Sequence, residues 1–299
     1  MSSVIDRRQF ARLVGLGGVV YASGLGNPLS LGSARAAAAA EDFFFVQLSD
    51  SHWGFKGPPN PEAANTLKLA VDAVNALPQQ PDFIVFTGDL THTTDDVQER
   101  RKRMGEFRDI VKGLKTQNIR YMPGENDASL DKGAVYQEFF GPTHYSFDHK
   151  NVHFIAIDNV SDPTAAIGEE QLKWLGDDLK TQNPDARIVV FAHRPLFDLY
   201  PQWDWATKDG KAAIDLLMPH KNVTVFYGHI HREDHQTTGH IAHHAATSLI
   251  FPFPAPGSQE KRTPLAWNAE KPFSGLGWRE VTAEAKTADY KLVQKPVKA

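Results

Sequence analysis

The chain has 299 residues, with 32 Lys and Arg against 36 Asp and Glu and a formal net charge of −4 at pH 7. That length accommodates one large domain or two small ones. It contains no cysteine, which excludes disulfides, thiolate metal sites and cysteine nucleophiles together; its acidic balance argues against a dedicated nucleic-acid binder, whose affinity rests on clustered cations.

Residues 1–40 read as an export leader. Arg7 and Arg8 are paired in Asp6-Arg7-Arg8-Gln9-Phe10, a glycine-broken apolar stretch runs from Leu13 to Leu31, and a small-residue run from Ser33 ends at Ala40. A basic start, an apolar middle and a small-residue exit make a secretory signal, and the arginine pair points to the twin-arginine route. The twin-arginine export machinery is therefore an expected partner and the periplasm the expected location. Gly15, Gly17, Gly18 and Pro28 suit a spanning helix poorly, so no membrane anchor is expected. This segment holds four arginines and one aspartate, which leaves the rest of the chain at −7.

Residues 41–299 read as one domain. Phe43 to Leu48 is a buried strand, and residues 61–77 place Leu67, Ala70, Val71, Val74 and Leu77 at helical spacing until Pro78. Phe83 to Phe86 is the next strand, a charged helix follows over about 95–117, and Ile119 to Met122 is a third strand. After a short helix near 134–140 come the strand pair Tyr145–Phe147 and Val152–Ile157, then a helix carrying Leu172, Leu175 and Leu179. Strands Ile188–Phe191 and Val223–Phe226 flank a helix around 212–217. Residues 239–250 and 277–294 resemble antiparallel strands separated by a loop rich in proline and aromatics, 251–272. Strands alternating with helices predict an α/β fold of mixed sheets, and the β-rich end predicts two sheets packed together with helices outside.

Five of these apolar strands run directly into metal-ligand residue types. They lead into Asp50-Ser51-His52, Gly88-Asp89, Gly124-Glu125-Asn126-Asp127, His193-Arg194 and Gly228-His229-Ile230-His231. Ligands bind outside the carboxyl ends of strands in α/β sheets, so parallel strands would bring all five tips to one edge. Singly, each motif has an ordinary reading as a cap, a turn or a buried histidine. The ordered set does not, because burying so many bare charges together is costly. The ligand count suits two cations about 3.5–4 Å apart, a pair able to clamp a phosphate. With His, Asp, Glu and Asn as the donors, manganese, iron or zinc fits.

In this ordered set the sequence resembles the calcineurin-like metallophosphoesterase superfamily, which includes purple acid phosphatases and cyclic-nucleotide phosphodiesterases. The resemblance covers nearly the whole of 41–299 and implies a four-layer α/β-β/α sandwich. It implies metal-dependent hydrolysis of a phosphodiester or an activated phosphomonoester, with a metal-bridging hydroxide as the nucleophile. By the same resemblance Asp50, His52, Asp89 and His231 hold one metal; Asp89 bridges to a second, held also by the third motif, His193 and His229. The third motif departs from the family's Gly-Asn-His-Asp. Aligned without a gap, Glu125 takes the metal-binding position and Asn126 that of the histidine near the leaving group, with Asp127 beside it; a shift of one residue keeps Asn126 as the ligand. Asn126 has no titratable proton, so general-acid help at that position is lost. The altered motif also leaves a second reading, a non-catalytic metal- or phosphate-ligand-binding protein on the same scaffold. A small-molecule phosphoester is the expected substrate.

Other residues carry weaker expectations. His92 reads as a neighbour of the centre or a surface residue. His240, His243 and His244 read as cleft or strand positions, Tyr200, Trp203 and Trp205 as a cleft wall or packing, and Arg194 as a phosphate contact or an ion pair.

Overall fold

The computed structural model describes residues 41–298, so the leader expectation for residues 1–40 lies outside the described residues. Strand β1 (Phe43–Leu48) is buried everywhere except at Phe44, as a near-continuous apolar run must be when both faces of its sheet are covered. It pairs in parallel with β2 (Phe83–Thr87), which pairs in parallel with β3 (Ile119–Met122). The crossovers are α1 (Ala63–Asn75) and α2 (Val97–Val111). The Asp96 side chain caps α2 by accepting from the amides of Gln98 and Glu99. The predicted continuation of α2 to residue 117 does not form. Beyond Val111 the chain tightens, with the Gly113 and Leu114 amides bonding three residues back, and turns into β3.

Two short helices follow β3, α3 (Glu125–Ala128) and α4 (Ala134–Phe140). The chain then builds a second sheet from β4 (Tyr145–His149), β5 (Val152–Ala156), β6 (Arg187–Phe191), β7 (Asn222–Tyr227), β8 (Asp234–Thr238) and β9 (Ile241–Ala245). Its order is β4-β5-β6-β7-β9-β8, with α5 (Glu169–Leu179) and α6 (Gly210–Leu217) on its outer face. The hairpin of β10 (Gly277–Ala283) and β11 (Tyr290–Pro296) completes the first sheet as β11-β10-β1-β2-β3.

The two C-terminal β segments predicted as antiparallel partners therefore belong to different sheets. Gly239, at φ 62°, lets the chain reverse between β8 and β9, and β9 then runs parallel to β7. Strand β10 instead runs antiparallel to β1.

Large side chains fill the space between the sheets. Phe45 stacks on Phe83 at 4.8 Å and meets Phe154, Phe191 and Phe226 edge-on. Rings of this size suit the ~10 Å gap between two packed sheets. On the outer faces α1 and α2 bury Leu67, Val74, Met104 and Phe107 against β1 and β2, while α5 and α6 cover β6 and β7. The expected four-layer α/β-β/α sandwich is present. Among the described residues no helix is long and apolar enough to cross a membrane.

Candidate metal centre

The five polar tips converge, but on a rim shared by both sheets rather than on one sheet edge as expected. Asp50, Asp89 and the third motif follow β1, β2 and β3; His193 and the His229–His231 segment follow β6 and β7. Backbone bonds within and between the sheets hold the tips together. The Asp50 amide donates to the Gly88 carbonyl and the His52 amide to that of Asp89, while Gly228 donates to His193. The amide of His229 crosses between the sheets to the Asp50 carboxylate at 3.1 Å.

The turns that aim these side chains are strained. Asp50, His52, Asp89, His229 and His231 all have left-handed backbone, with φ between 42° and 65°. Each such residue costs about 1–3 kcal/mol, a strain that persists only where surrounding structure over-determines it. Its concentration at five donor residues in three of the motifs marks a functional site. At Gly124, any Cβ would overlap the Asp89 carboxylate, so the third motif requires glycine for close approach.

Three overlapping groups of facing donor atoms result, each able to hold a cation: Asp50, His52 and His231; Glu125, His193 and His229; and Asp50, Asp89 and His193. His52 Nε2 lies 3.4 Å from His231 Nε2, and His231 Nε2 lies 3.3 Å from Asp50 Oδ1. On the other side Glu125 Oε1 is 2.8 Å from His229 Nδ1. Asp89 Oδ2 sits between the two sides, 3.3 Å from His52 Nε2 and 3.5 Å from His193 Nε2.

Second partners fix the histidine tautomers. His193 Nδ1 faces the Thr87 carbonyl at 2.7 Å, His231 Nδ1 that of Phe251 at 2.9 Å, and His229 Nε2 that of Asp204 at 3.2 Å. A carbonyl only accepts, so each of these nitrogens carries the hydrogen and its ring partner turns a lone pair to the centre, the arrangement usual for metal ligation. His92, half-buried, lies 3.3 Å from His52 Nδ1 through its own Nδ1, which makes it a neighbour of the centre.

Electrostatics support a cation. Burial and the Glu125 charge push the Asp89 carboxyl up to about 6. Burial also works against Asp50 and Glu125, but facing imidazoles outweigh it and hold both below the usual carboxylate range. Burial and its neighbour His231 push His52 down. Glu125 Oε2 and His193 Nε2 are buried and lack hydrogen-bond partners although they approach within 2.9 Å. Buried polar atoms are rarely left so. A cation held by both would satisfy them, so the residues present fit the metals implied by the sequence.

The third motif resolves into three different parts. Glu125, rather than Asn126, faces His193 and His229. Asn126 turns back to Asp89, its amide donating to Oδ1 at 2.9 Å and its Nδ2 to Oδ2 at 2.8 Å. Asp127, expected beside the reacting centre, accepts instead from the amides of Leu90, Thr91 and Gly124 and from the Thr91 hydroxyl. Both its oxygens are occupied in tying the third motif to the second. Burial, with the Asp89 charge behind it, pushes this carboxyl up to about 7, against the pull of those amides.

A buried chain behind Asp50 was not anticipated from the sequence. Gln47 Nε2 donates to Thr87 Oγ1 at 3.2 Å and to the Tyr227 carbonyl, the Thr87 hydroxyl to Ser49 Oγ at 2.8 Å, and the Ser49 hydroxyl to Asp50 Oδ2 at 2.5 Å. A glutamine inside the apolar run Phe43–Leu48 was the signal for it.

The weaker expectations sort out by position. Arg194 is buried and spends its guanidinium on Asp204, which accepts at 2.5 and 3.0 Å. Trp203 and Trp205 are buried in an aromatic cluster that Tyr200 flanks. His240 donates to or accepts from nothing in the centre; its Nε2 meets the His220 carbonyl, as that of a turn residue at the opposite end of β9. His243 packs on Phe197 and His244 on Phe226, so none of the three histidines lines the centre.

A profile described as Metallophos, calcineurin-like phosphoesterase, matches residues 45–233, a span that contains all five motifs. A serine/threonine-protein phosphatase CPPED1 from Danio rerio is 25% identical over 217 residues, 64% of this chain and 70% of that protein. A probable cyclic nucleotide phosphodiesterase from Rhodococcus erythropolis is 26% identical over 223 residues, 70% of this chain and 71% of that one. The crystal structure of a dimetal phosphatase from Danio rerio shares the fold with a TM-score of 0.57 at 15% identity, over 85% of this chain and 95% of that one.

Proposed function

Because the chain belongs to the calcineurin-like phosphoesterase family, and is a phosphoesterase by that membership, we propose that it hydrolyses a small phosphoester at a centre of two metal ions. The observation that carries this reading is the pair of facing donor groups with Asp89 between them. In it Asp50, His52 and His231 would hold one ion and Glu125, His193 and His229 the other, with Asp89 facing both groups. When bound, two such ions supply Lewis acidity to the phosphoryl group and activate water at neutral pH.

The chain's own residues prepare that chemistry. The carbonyls of Thr87, Phe251 and Asp204 hold the imidazole lone pairs inward. Asn126 keeps both Asp89 oxygens oriented, and Ser49 orients Oδ2 of Asp50. Glu125 in place of a neutral amide adds negative charge on its side and favours a harder ion such as manganese or iron. With Asn126 unable to give a proton, an ester whose leaving group departs without general-acid help, such as an aryl ester, is the better substrate.

Reconstitution with manganese, iron or zinc and assay on aryl phosphomonoesters and diesters tests the reading. Turnover that appears with metal and disappears on chelation is expected. Stoichiometric metal without turnover across a broad ester panel would instead favour a binding protein on this scaffold.

We also propose that residues 1–40 direct twin-arginine export, on the strength of Arg7 and Arg8 before the apolar stretch. Replacing both arginines by lysine is expected to leave the precursor in the cytoplasmic fraction, read by fractionation and immunoblot. Unchanged appearance of the shortened chain in the periplasm would remove this proposal.

A further inference from the structure

Among the described residues, the cation Arg262 beside the centre is used neither for ligation nor for an ion pair. Arg262 lies in the loop between β9 and β10, its guanidinium 5.6 Å from the Phe253 ring centroid and its Nη1 3.4 Å from His229 Nε2. That second contact is not a hydrogen bond once His229 Nδ1 is a ligand, because Nε2 then carries a hydrogen and gives it to the Asp204 carbonyl. Two donors face each other, so Nη1 has no acceptor there. Two other arginines near the centre differ. Arg194 is spent on Asp204, and Arg103 on Glu99 and the carbonyls of His92 and Thr93. Among the described residues Arg262 has no carboxylate within 4.0 Å.

We propose that Arg262 receives the phosphate of the substrate at the His229 side of the centre and that it selects phosphomonoesters over diesters. A guanidinium presents paired donors that match phosphate oxygens, and the Phe253 face holds it in place. The Glu125 side chain beside His229 is 28% exposed, so the centre opens to solvent on this side. A monoester carries three terminal oxygens, which leaves one for an outer cation when two are engaged at the centre. A diester has only two. This inference rests on the hydrolase reading above.

The test compares wild type, Arg262→Met and Arg262→Lys, each reconstituted and assayed for metal content. The methionine keeps the apolar stem against Phe253. Inorganic phosphate binding is measured by titration calorimetry, and KM is measured on an aryl phosphate and on an aryl methyl phosphodiester. The methionine variant is expected to weaken phosphate about tenfold, as loss of a charge-assisted hydrogen bond does. Lysine should restore part of the loss, and KM should rise on the monoester but change less than twofold on the diester. Phosphate binding within twofold of wild type, equal losses on both esters, or reduced metal content would each overturn the proposal. If the wild type turns over neither ester, the hydrolase reading fails, and the phosphate titration still decides for or against Arg262 as a phosphate contact.

Discussion

Replacing Asp89 by asparagine is expected to cut metal-dependent turnover by about 10³-fold or more, the several kcal/mol that metal-assisted stabilisation supplies, while leaving the chain folded. The side chain lies between the two donor groups, and Oδ2 faces His52 on one side and His193 on the other. An amide cannot present an anionic oxygen to both donor groups, and its NH2 would oppose the donor groups of Asn126. Shape and burial are conserved, so a loss of activity with a retained circular dichroism spectrum and reduced metal content isolates the charge. Wild-type turnover with two ions per chain in the Asp89→Asn protein would show that Asp89 is not shared between them. Replacing His92, which meets the centre only through His52 Nδ1, should cost far less, within the 10–100-fold of an outer partner.

Much of this centre was legible because its signals are local. A strand that ends in Gly-Asp or Gly-His-x-His announces both the turn and the donor within a few residues, and five such endings in order specify a convergence that no single one does. What was not legible depends on which residues meet across space. Membership of β9 and β10 in different sheets is decided by the Gly239 reversal and by pairing with β7 and β1, strands far away in the chain. Which of Glu125 and Asn126 faces the histidines depends on side-chain direction. Asp127 accepts from Gly124, Leu90 and Thr91 and so fixes how α3 begins; from that start Glu125 faces His229 and Asn126 faces Asp89. The same clamp explains why Asp127, a plausible reacting group by position, has no oxygen left for chemistry. The support for Asp50 runs from Ser49 through Thr87 to Gln47 and on to the Tyr227 carbonyl of the other sheet. No spacing rule reveals a chain of that kind.

Stripping the metals is expected to lower the melting temperature by about 10 °C, read by differential scanning fluorimetry with and without chelator. Three buried or half-buried carboxylates, Asp50, Asp89 and Glu125, share a small volume with four imidazoles. Without cations, burial and the Glu125 charge raise the Asp89 carboxyl to about 6 from 3.8, so at neutral pH the folded chain holds a charge it disfavours. A ligand present at 1,000 times its dissociation constant contributes about 4 kcal/mol to the native state, and for a chain of this size each kcal/mol moves the midpoint by roughly 2–4 °C. The sign of the pH dependence follows. A carboxylate whose folded pKa is raised binds more protons in the native than in the unfolded state, so its contribution falls as pH rises from 3.8 through about 6. That one contribution of Asp89 therefore grows on acidification to about pH 5, against the buried His52 and His229, whose depressed folded pKa values act in the opposite sense; protons also compete with metal for the ligands of the loaded chain. Because binding metal displaces protons from these ligands, the gap between the two melting curves should close as pH falls. A gap that is absent at pH 7.5, or that widens on acidification, would mean that the convergent charges are not compensated by bound cations, and the metal centre would have to be abandoned.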